Sequence, residues 1–111
     1  MNGLTAAMAL KALDGLSLRA TATAQNIANA GTASYRPVRV SFEDALARAA
    51  AQGTSAVTTL RAGALEEPLQ QDLRIDLELA TANATAARYS AVAEVLGRQL
   101  QIDALAVSGG R

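Results

Sequence analysis

In two long segments, one near each end of the chain, residues that are mainly apolar recur at alternating spacings of three and four residues. In the first segment these positions are Ala6, Ala9, Leu13, Leu16, Ala20, Thr23, Ile27 and Ala30. In the second they are Ile75, Leu79, Ala82, Ala86, Tyr89, Ala93, Leu96 and Leu100. This spacing is typical of helices that pair along a seam, and its larger side chains are the candidate helix-packing residues. We therefore predict an all-α fold in which two long terminal helices pair as an antiparallel coiled-coil hairpin.

The 111 residues of the chain are few enough for one domain, which we expect to span 1–111. The N-terminal helix is expected within 1–31, because Gly31 readily accepts the left-handed backbone that ends a helix. The C-terminal helix is expected within 72–108. Residues 32–71 then form a short extended or loop-like middle segment that contains one short helix.

The middle segment begins as an extended chain. Pro37 disfavours a helical conformation for the residue before it, and apolar residues alternate with polar ones over 38–42. Ser41 is a candidate N-cap for a short helix that follows. Residues 53–71 contain glycine, serine, threonine and proline without periodicity, so we predict a loop there, with a possible short strand at 57–60.

A second apolar stripe lies beside the seam of the C-terminal helix. It consists of Val92, Val95, Ile102 and Ala106. One partner helix covers only a single stripe, so the remaining apolar surface predicts further neighbours in an assembly.

Catalytic and ligand-binding patterns are not found in the sequence. It contains no cysteine and no histidine, and ten basic residues balance ten acidic ones. Glu66 and Glu67 are more typical of a solvated turn than of an acid–base pair, and Asp72, Asp76 and Glu78 suit the positive end of a helix dipole. We therefore expect no catalytic, cofactor or metal site, no nucleic-acid partner and no small-molecule substrate.

The apolar stretches are too short for a membrane span, which needs about 18 consecutive apolar residues. No basic region precedes the apolar part of the N-terminal segment, which continues into the predicted helix. We expect no cleaved signal peptide, so leaving the cytoplasm would require another export route.

Two asparagines near the end of the first helix are the sharpest local feature. Asn26 and Asn29 lie within one turn, although asparagine is a mediocre helix former. They could serve as helix-end residues before Gly31, or their amides could bond to a partner segment and set its register. The residues alone leave both interpretations open.

The segment around these asparagines resembles the N-terminal signature of flagellar rod, hook and junction proteins, roughly A-x-N-[IL]-A-N-x-x-T-x-G-Y. The matching residues are Ala24, Asn26, Ile27, Ala28, Asn29, Thr32 and Tyr35. Ala33 and Ser34 stand where the family has proline and glycine. The C-terminal segment also resembles the ending of rod proteins, and Asp76, Leu77, Glu78, Arg88 and Tyr89 carry that likeness.

This resemblance implies a structural subunit of the flagellar basal-body rod, most similar to the proximal rod proteins. Such a subunit would be exported by the flagellar type III apparatus into the periplasmic rod. Its partners would be copies of itself, other rod proteins, and membrane-ring and ring–rod junction proteins. The implied assembly residues are Asn26, Ile27, Asn29, Thr32 and Tyr35.

Two other function classes remain open on the sequence. One is a different axial component, such as another rod protein or a type III secretion inner-rod protein. The other is a free-standing helical adaptor that binds one partner through its apolar stripe. A small enzyme is the least favoured interpretation, because the usual general bases and thiol nucleophiles are missing.

Overall fold

The computed structural model describes residues 1–61, 66–68 and 72–109, and it is mostly helical with a long helix near each end. The helices are α1 (Gly3–Ala28), α2 (Glu43–Gln52), α3 (Thr54–Thr59) and α4 (Ile75–Gly109), and the strands are β1 (Val38–Val40) and β2 (Glu66–Pro68). The molecule is elongated, with extents of 63 × 27 × 14 Å. Among the described residues, no helix is long and apolar enough to cross a membrane.

The first helix begins with a side-chain cap and ends earlier than the sequence predicts. The Asn2 side chain accepts a hydrogen bond from the Thr5 backbone N–H at 2.7 Å, which satisfies one free donor of the first turn. α1 ends at Ala28, and Asn29 is its C-cap. The prediction that Gly31 provides a left-handed stop is wrong, because its φ angle is not positive.

The middle segment contains more regular structure than the sequence predicts. The extended stretch is confirmed as β1, which pairs antiparallel with β2, with Arg39 opposite Glu67. Ser41 is not a cap, since Phe42 precedes α2 without a side-chain cap. The predicted loop is wrong over α3, which also contains most of the predicted strand at 57–60. Predictions for 62–65 and 69–71 lie outside the described residues.

Helix α3 forms because the free energy gained by burying its apolar side chain outweighs the weak helix propensity of its residues. Its sequence, TSAVTT, has weak helix formers, and tertiary packing routinely overrides such propensities. Val57 has no exposed surface and lies in the apolar core. Lys11 also donates a hydrogen bond from its Nζ to the Thr58 carbonyl oxygen near the end of α3, at 3.3 Å. α3 is therefore held against α1 by one buried side chain and one capping amine.

The apolar core lies between α1, β1, α2 and α3. Its buried members are Leu16, Ala22, Val40, Phe42, Leu46, Ala49 and Val57. Gly15 provides the space for the Phe42 ring, because a Cβ atom at Gly15 would lie 2.5 Å from the ring. The glycine in the middle of α1 is thus required by packing.

Helix α4 contacts α1 through a different face from the predicted seam. Leu96 is buried as expected, Leu13 and Ile27 of α1 are half-buried, and Leu16 is buried. However, the remaining large seam residues of α4 are exposed: Ile75, Leu79, Tyr89 and Leu100. The buried side chains of α4 are instead Glu78, Thr85 and Leu96. A polar face can be buried here because Glu78 finds a hydrogen-bond partner on α1.

Candidate functional site

Asn26 makes four side-chain hydrogen bonds to three other segments of the chain. It lies in the last turns of α1 and is 1% exposed. Its Nδ2 donates to the Val38 carbonyl oxygen at 2.8 Å and to Glu78 Oε2 at 3.2 Å. Its Oδ1 accepts from the Val38 N–H at 3.0 Å and from the Tyr35 hydroxyl at 2.8 Å. Both donors and both acceptor positions of the amide are therefore used.

The Asn26 amide pairs with the backbone of β1 as a neighbouring strand would. It bonds to both the N–H and the carbonyl of Val38, while β2 pairs with β1 along the strand. A backbone amide pair that is buried and left without partners is costly. Asn26 thus holds the extended segment against α1 and satisfies its polar groups at the same time.

Glu78 extends this network to the second long helix. It lies in the first turn of α4 and is 9% exposed, which is unusual for a carboxylate. The sequence suggests only a helix-dipole role for Glu78, and its contact with Asn26 was not predicted. We call the hydrogen-bonded group of Asn26, Tyr35, Val38 and Glu78 the Asn26 network. It joins α1, the turn after it, β1 and α4 at one point.

Asn29 and Thr32 form a separate, local structure at the end of α1. Asn29 Nδ2 donates to the Gln25 carbonyl oxygen at 2.9 Å, and the Thr32 hydroxyl donates to Asn29 Oδ1 at 3.2 Å. Both bonds are exposed and span three or four residues. The two interpretations of the asparagine pair therefore apply to different residues: Asn26 bonds to other segments, and Asn29 is a helix-end residue. Ile27 lies half-buried between them.

Arg19 forms a second polar cluster on the same side of α1. Its Nε and Nη2 donate to the Val40 carbonyl oxygen at 3.1 and 3.0 Å. Its Nη2 also donates to the Glu43 carboxylate at 2.6 and 2.9 Å, and the guanidinium lies 4.9 Å from the centre of the Phe42 ring. Sequence reasoning missed Arg19, because no local pattern shows which strand and helix it reaches.

The pKa of Glu43 reflects this cluster. Burial by itself raises the pKa of the carboxyl group, but hydrogen bonds from Arg19 and from backbone N–H groups favour the charged form more strongly. The net result is a pKa below its ordinary value. Arg88 of α4 approaches the same carboxylate at 4.0 Å. At neutral pH, Glu43 is therefore an ionised link between α1 and α2.

A polar cleft of about 370 Å³ lies between the Asn26 network and the Arg19 cluster. Its walls come from α1, β1, the start of α2 and α4, and include Thr23, Thr81, Thr85 and Arg39. In the described part of the chain, no group of three or more acidic, cysteine or histidine side chains is placed to hold a metal ion. Arg19 and Glu43 in the cleft bond to each other and to backbone, and Glu78 accepts a hydrogen bond from Asn26.

The turn between α1 and β1 contains a residue in the left-handed backbone region. Ser34 has a φ of 64°, at the position where the resembled family has glycine. A side chain at such a position costs roughly 1–2 kcal/mol, since its Cβ approaches the following carbonyl. The turn is thus made without glycine but under strain.

Replacing Ser34 with glycine is expected to raise the free energy of unfolding by roughly 0.5–1 kcal/mol, because relief of strain exceeds the entropy that glycine loses on folding. The measurement is chemical denaturation of both proteins. Ala33→Gly is the matched control, since Ala33 has no positive φ and should only lose stability. Equal losses in both variants would contradict the strain at Ser34.

Three of the resemblance residues, Asn26, Tyr35 and Glu78, thus meet in one network. The described residues contain no buried polar side-chain atom without a hydrogen-bond partner. Such saturated networks fix one arrangement of the segments they join. Comparison of the chain with protein-family models, curated proteins and solved structures gives no match.

Proposed function

We propose that this chain is a structural subunit of the bacterial flagellar basal-body rod, most similar to the proximal rod protein FlgB. It would polymerise through its terminal helices in the periplasm, link the membrane ring to the distal rod and transmit torque. Its partners would be further copies, other rod proteins, ring and ring–rod junction proteins, and the type III export apparatus. No catalytic step is needed for this role.

The observation that carries the proposal is the apolar surface left on α4 after it has packed against α1. Large side chains along α4 remain 42–70% exposed: Ile75, Leu77, Leu79, Tyr89, Val95, Leu100, Ile102, Leu105 and Val107. Apolar surface of this extent marks interaction sites in soluble proteins. By helical periodicity, Ile75, Leu79 and Leu100 share one side of α4, whereas Val95 and Ile102 share another. A subunit with neighbours on several sides accounts for both exposed apolar sides of α4.

The contact between Asn26 and Glu78 supports the family assignment. Asn26 belongs to the N-terminal signature and Glu78 to the C-terminal one, yet their side chains meet at 3.2 Å across 52 residues of sequence. Tyr35, also in the signature, bonds to the same amide. A chance likeness in two separate segments gives no reason for those residues to form one network.

We propose in addition that α1 and α4 run antiparallel as a hairpin. The Met1 amino group lies 3.8 Å from Asp103 near the end of α4, and Asn26 near the end of α1 contacts Glu78 near the start of α4. Contacts at both ends with opposite chain order support this direction. A paired, rod-like unit of this kind suits an axial layer of packed helices.

The proposal predicts that Leu100→Asp abolishes motility without changing the amount of protein. Leu100 is 58% exposed, so the charge leaves the subunit fold intact. In an assembly, the same charge would be buried against an apolar neighbour at a cost of several kcal/mol. The measurement is swimming, together with electron microscopy of isolated basal bodies, in a strain that lacks the native gene and expresses the variant.

Gln101→Asp is the matched control for this experiment. Gln101 is exposed and adjacent, but it lies about 100° around the helix from Leu100. The native gene and Gln101→Asp should both restore complete rods and swimming. Swimming cells with Leu100→Asp would remove this stripe from the packed layer. If deletion of the gene leaves rods and motility normal, the rod function itself is wrong.

The same apolar stripe also suits a free-standing helical adaptor or another axial component, such as a FlgC-like rod or type III secretion inner-rod protein. An adaptor would form a defined complex with one partner, whereas an axial subunit would form polymers. Analytical ultracentrifugation of the purified chain across a range of concentrations separates these two classes. The position of the chain in isolated basal bodies separates the axial components.

A further inference from the structure

The apolar core of the protein is complete without its longest helix. The buried core side chains belong to α1, β1, α2 and α3. Val57 is fully buried, and Val40 and Phe42 are 2% and 4% exposed. The cluster that buries them contains no fully buried residue of α4. Among the described residues, α4 contributes only the partly buried Val92 to this core.

The fully buried side chains of α4 are mainly polar. Its buried residues are Glu78, Thr85 and Leu96, of which only Leu96 is apolar. Glu78 is held by one hydrogen bond from Asn26, and the ion pair between Met1 and Asp103 is partly exposed. An exposed ion pair adds little net stability because water competes for the same groups, and one hydrogen bond stabilises a contact less than the burial of several apolar side chains.

We propose that α4 forms a separate cooperative unit, which opens from α1 while α1, β1, α2 and α3 remain folded. Local opening is easiest where few apolar groups are buried, and only one of the 35 residues of α4 has a fully buried apolar side chain. Opening exposes Leu96, which adds to the apolar stripe of α4 that already faces solvent. The inference follows from packing within one subunit and does not depend on the rod function.

Hydrogen exchange of the full chain, read by mass spectrometry or NMR, tests this proposal. Protection factors within α4 are expected to be at least about tenfold lower than those in residues 15–26 of α1. Exchange in α4 should also depend more weakly on urea, because its opening exposes less surface than global unfolding. Equal protection and equal urea dependence in both helices would overturn the proposal.

Val57→Ala gives a second, sharper comparison. The loss of core packing should lower protection in residues 15–26 about tenfold or more. Protection in α4 should change less than about twofold, because Val57 belongs to the core that stays folded when α4 opens. An equal fall in both helices would show one cooperative unit. If Val57→Ala fails to fold, the urea series on the unaltered chain decides the question. Complete exchange of α1 in the unaltered chain at the first time point would also overturn the proposal.

Discussion

Asn26→Ala is expected to lower the free energy of unfolding by roughly 2–4 kcal/mol, a large part of the ~5–15 kcal/mol typical of a folded domain. The substitution removes all four hydrogen bonds of the amide. The backbone N–H and carbonyl of Val38, the Tyr35 hydroxyl and the Glu78 carboxylate each lose a partner. An unsatisfied buried polar group costs ~1–3 kcal/mol, and this penalty exceeds the better helix propensity of alanine.

Asn29→Ala is the matched control, because the same residue type is replaced three positions away. Its side-chain bonds are local and exposed, so the free energy of unfolding should change by less than about 1 kcal/mol. Thermal or urea unfolding of the two variants gives the comparison. A loss of equal size at both positions would contradict the assignment of Asn26 as the buried link and Asn29 as a helix-end residue.

The network also makes a prediction for assembly. Under the proposed rod function, chains with Asn26→Ala should be exported but form short or missing rods, because α1, β1 and α4 no longer share one fixed arrangement. Asn29→Ala chains should form rods normally. Complete rods with the double variant Asn26→Ala, Asn29→Ala would remove the Asn26 network as support for the proposed rod function.

Gly15→Ala is expected to destabilise the protein by roughly 1–2 kcal/mol, although alanine is the better helix former by about 1 kcal/mol. The new Cβ atom would lie 2.5–2.8 Å from three atoms of the Phe42 ring. Phe42 is 4% exposed and contacts Arg19 through its ring, so it has little space to move away. The overpacking penalty therefore outweighs the gain in propensity.

Gly97→Ala is the control, since its new Cβ would meet no side chain and no other segment of the described structure within 4 Å. This glycine lies on the exposed side of α4, and its replacement should stabilise the protein by up to about 1 kcal/mol. Opposite signs at the two glycines, measured by denaturant unfolding, are the expected result. In a Phe42→Ala background, Gly15→Ala should become neutral or stabilising. If it remains as harmful there, contact with the ring is not the cause.

The presence and approximate bounds of the two long helices could be predicted from spacing alone. Alternation by three and four residues is a property of the local sequence, so it can be recognised without knowledge of the fold. Which face of α4 meets α1 could not be predicted in this way. Leu79 and Leu100 fit the same period as Leu96, but only Leu96 is buried, because it shares the side of α4 on which Glu78 contacts Asn26 of α1.

The residues of the polar site could also be predicted only in part from the sequence. The sequence by itself indicated that Asn26 has a specific role, since two asparagines within one turn lower the stability of a helix. It could not separate Asn26 from Asn29, because both lie within one helical turn and no local pattern shows which of them faces another segment. Only the tertiary structure brings Val38, Tyr35 and Glu78 to one of them. Helix propensity depends on neighbours in sequence, whereas burial and hydrogen-bond partners depend on segments that are distant along the chain and adjacent in space.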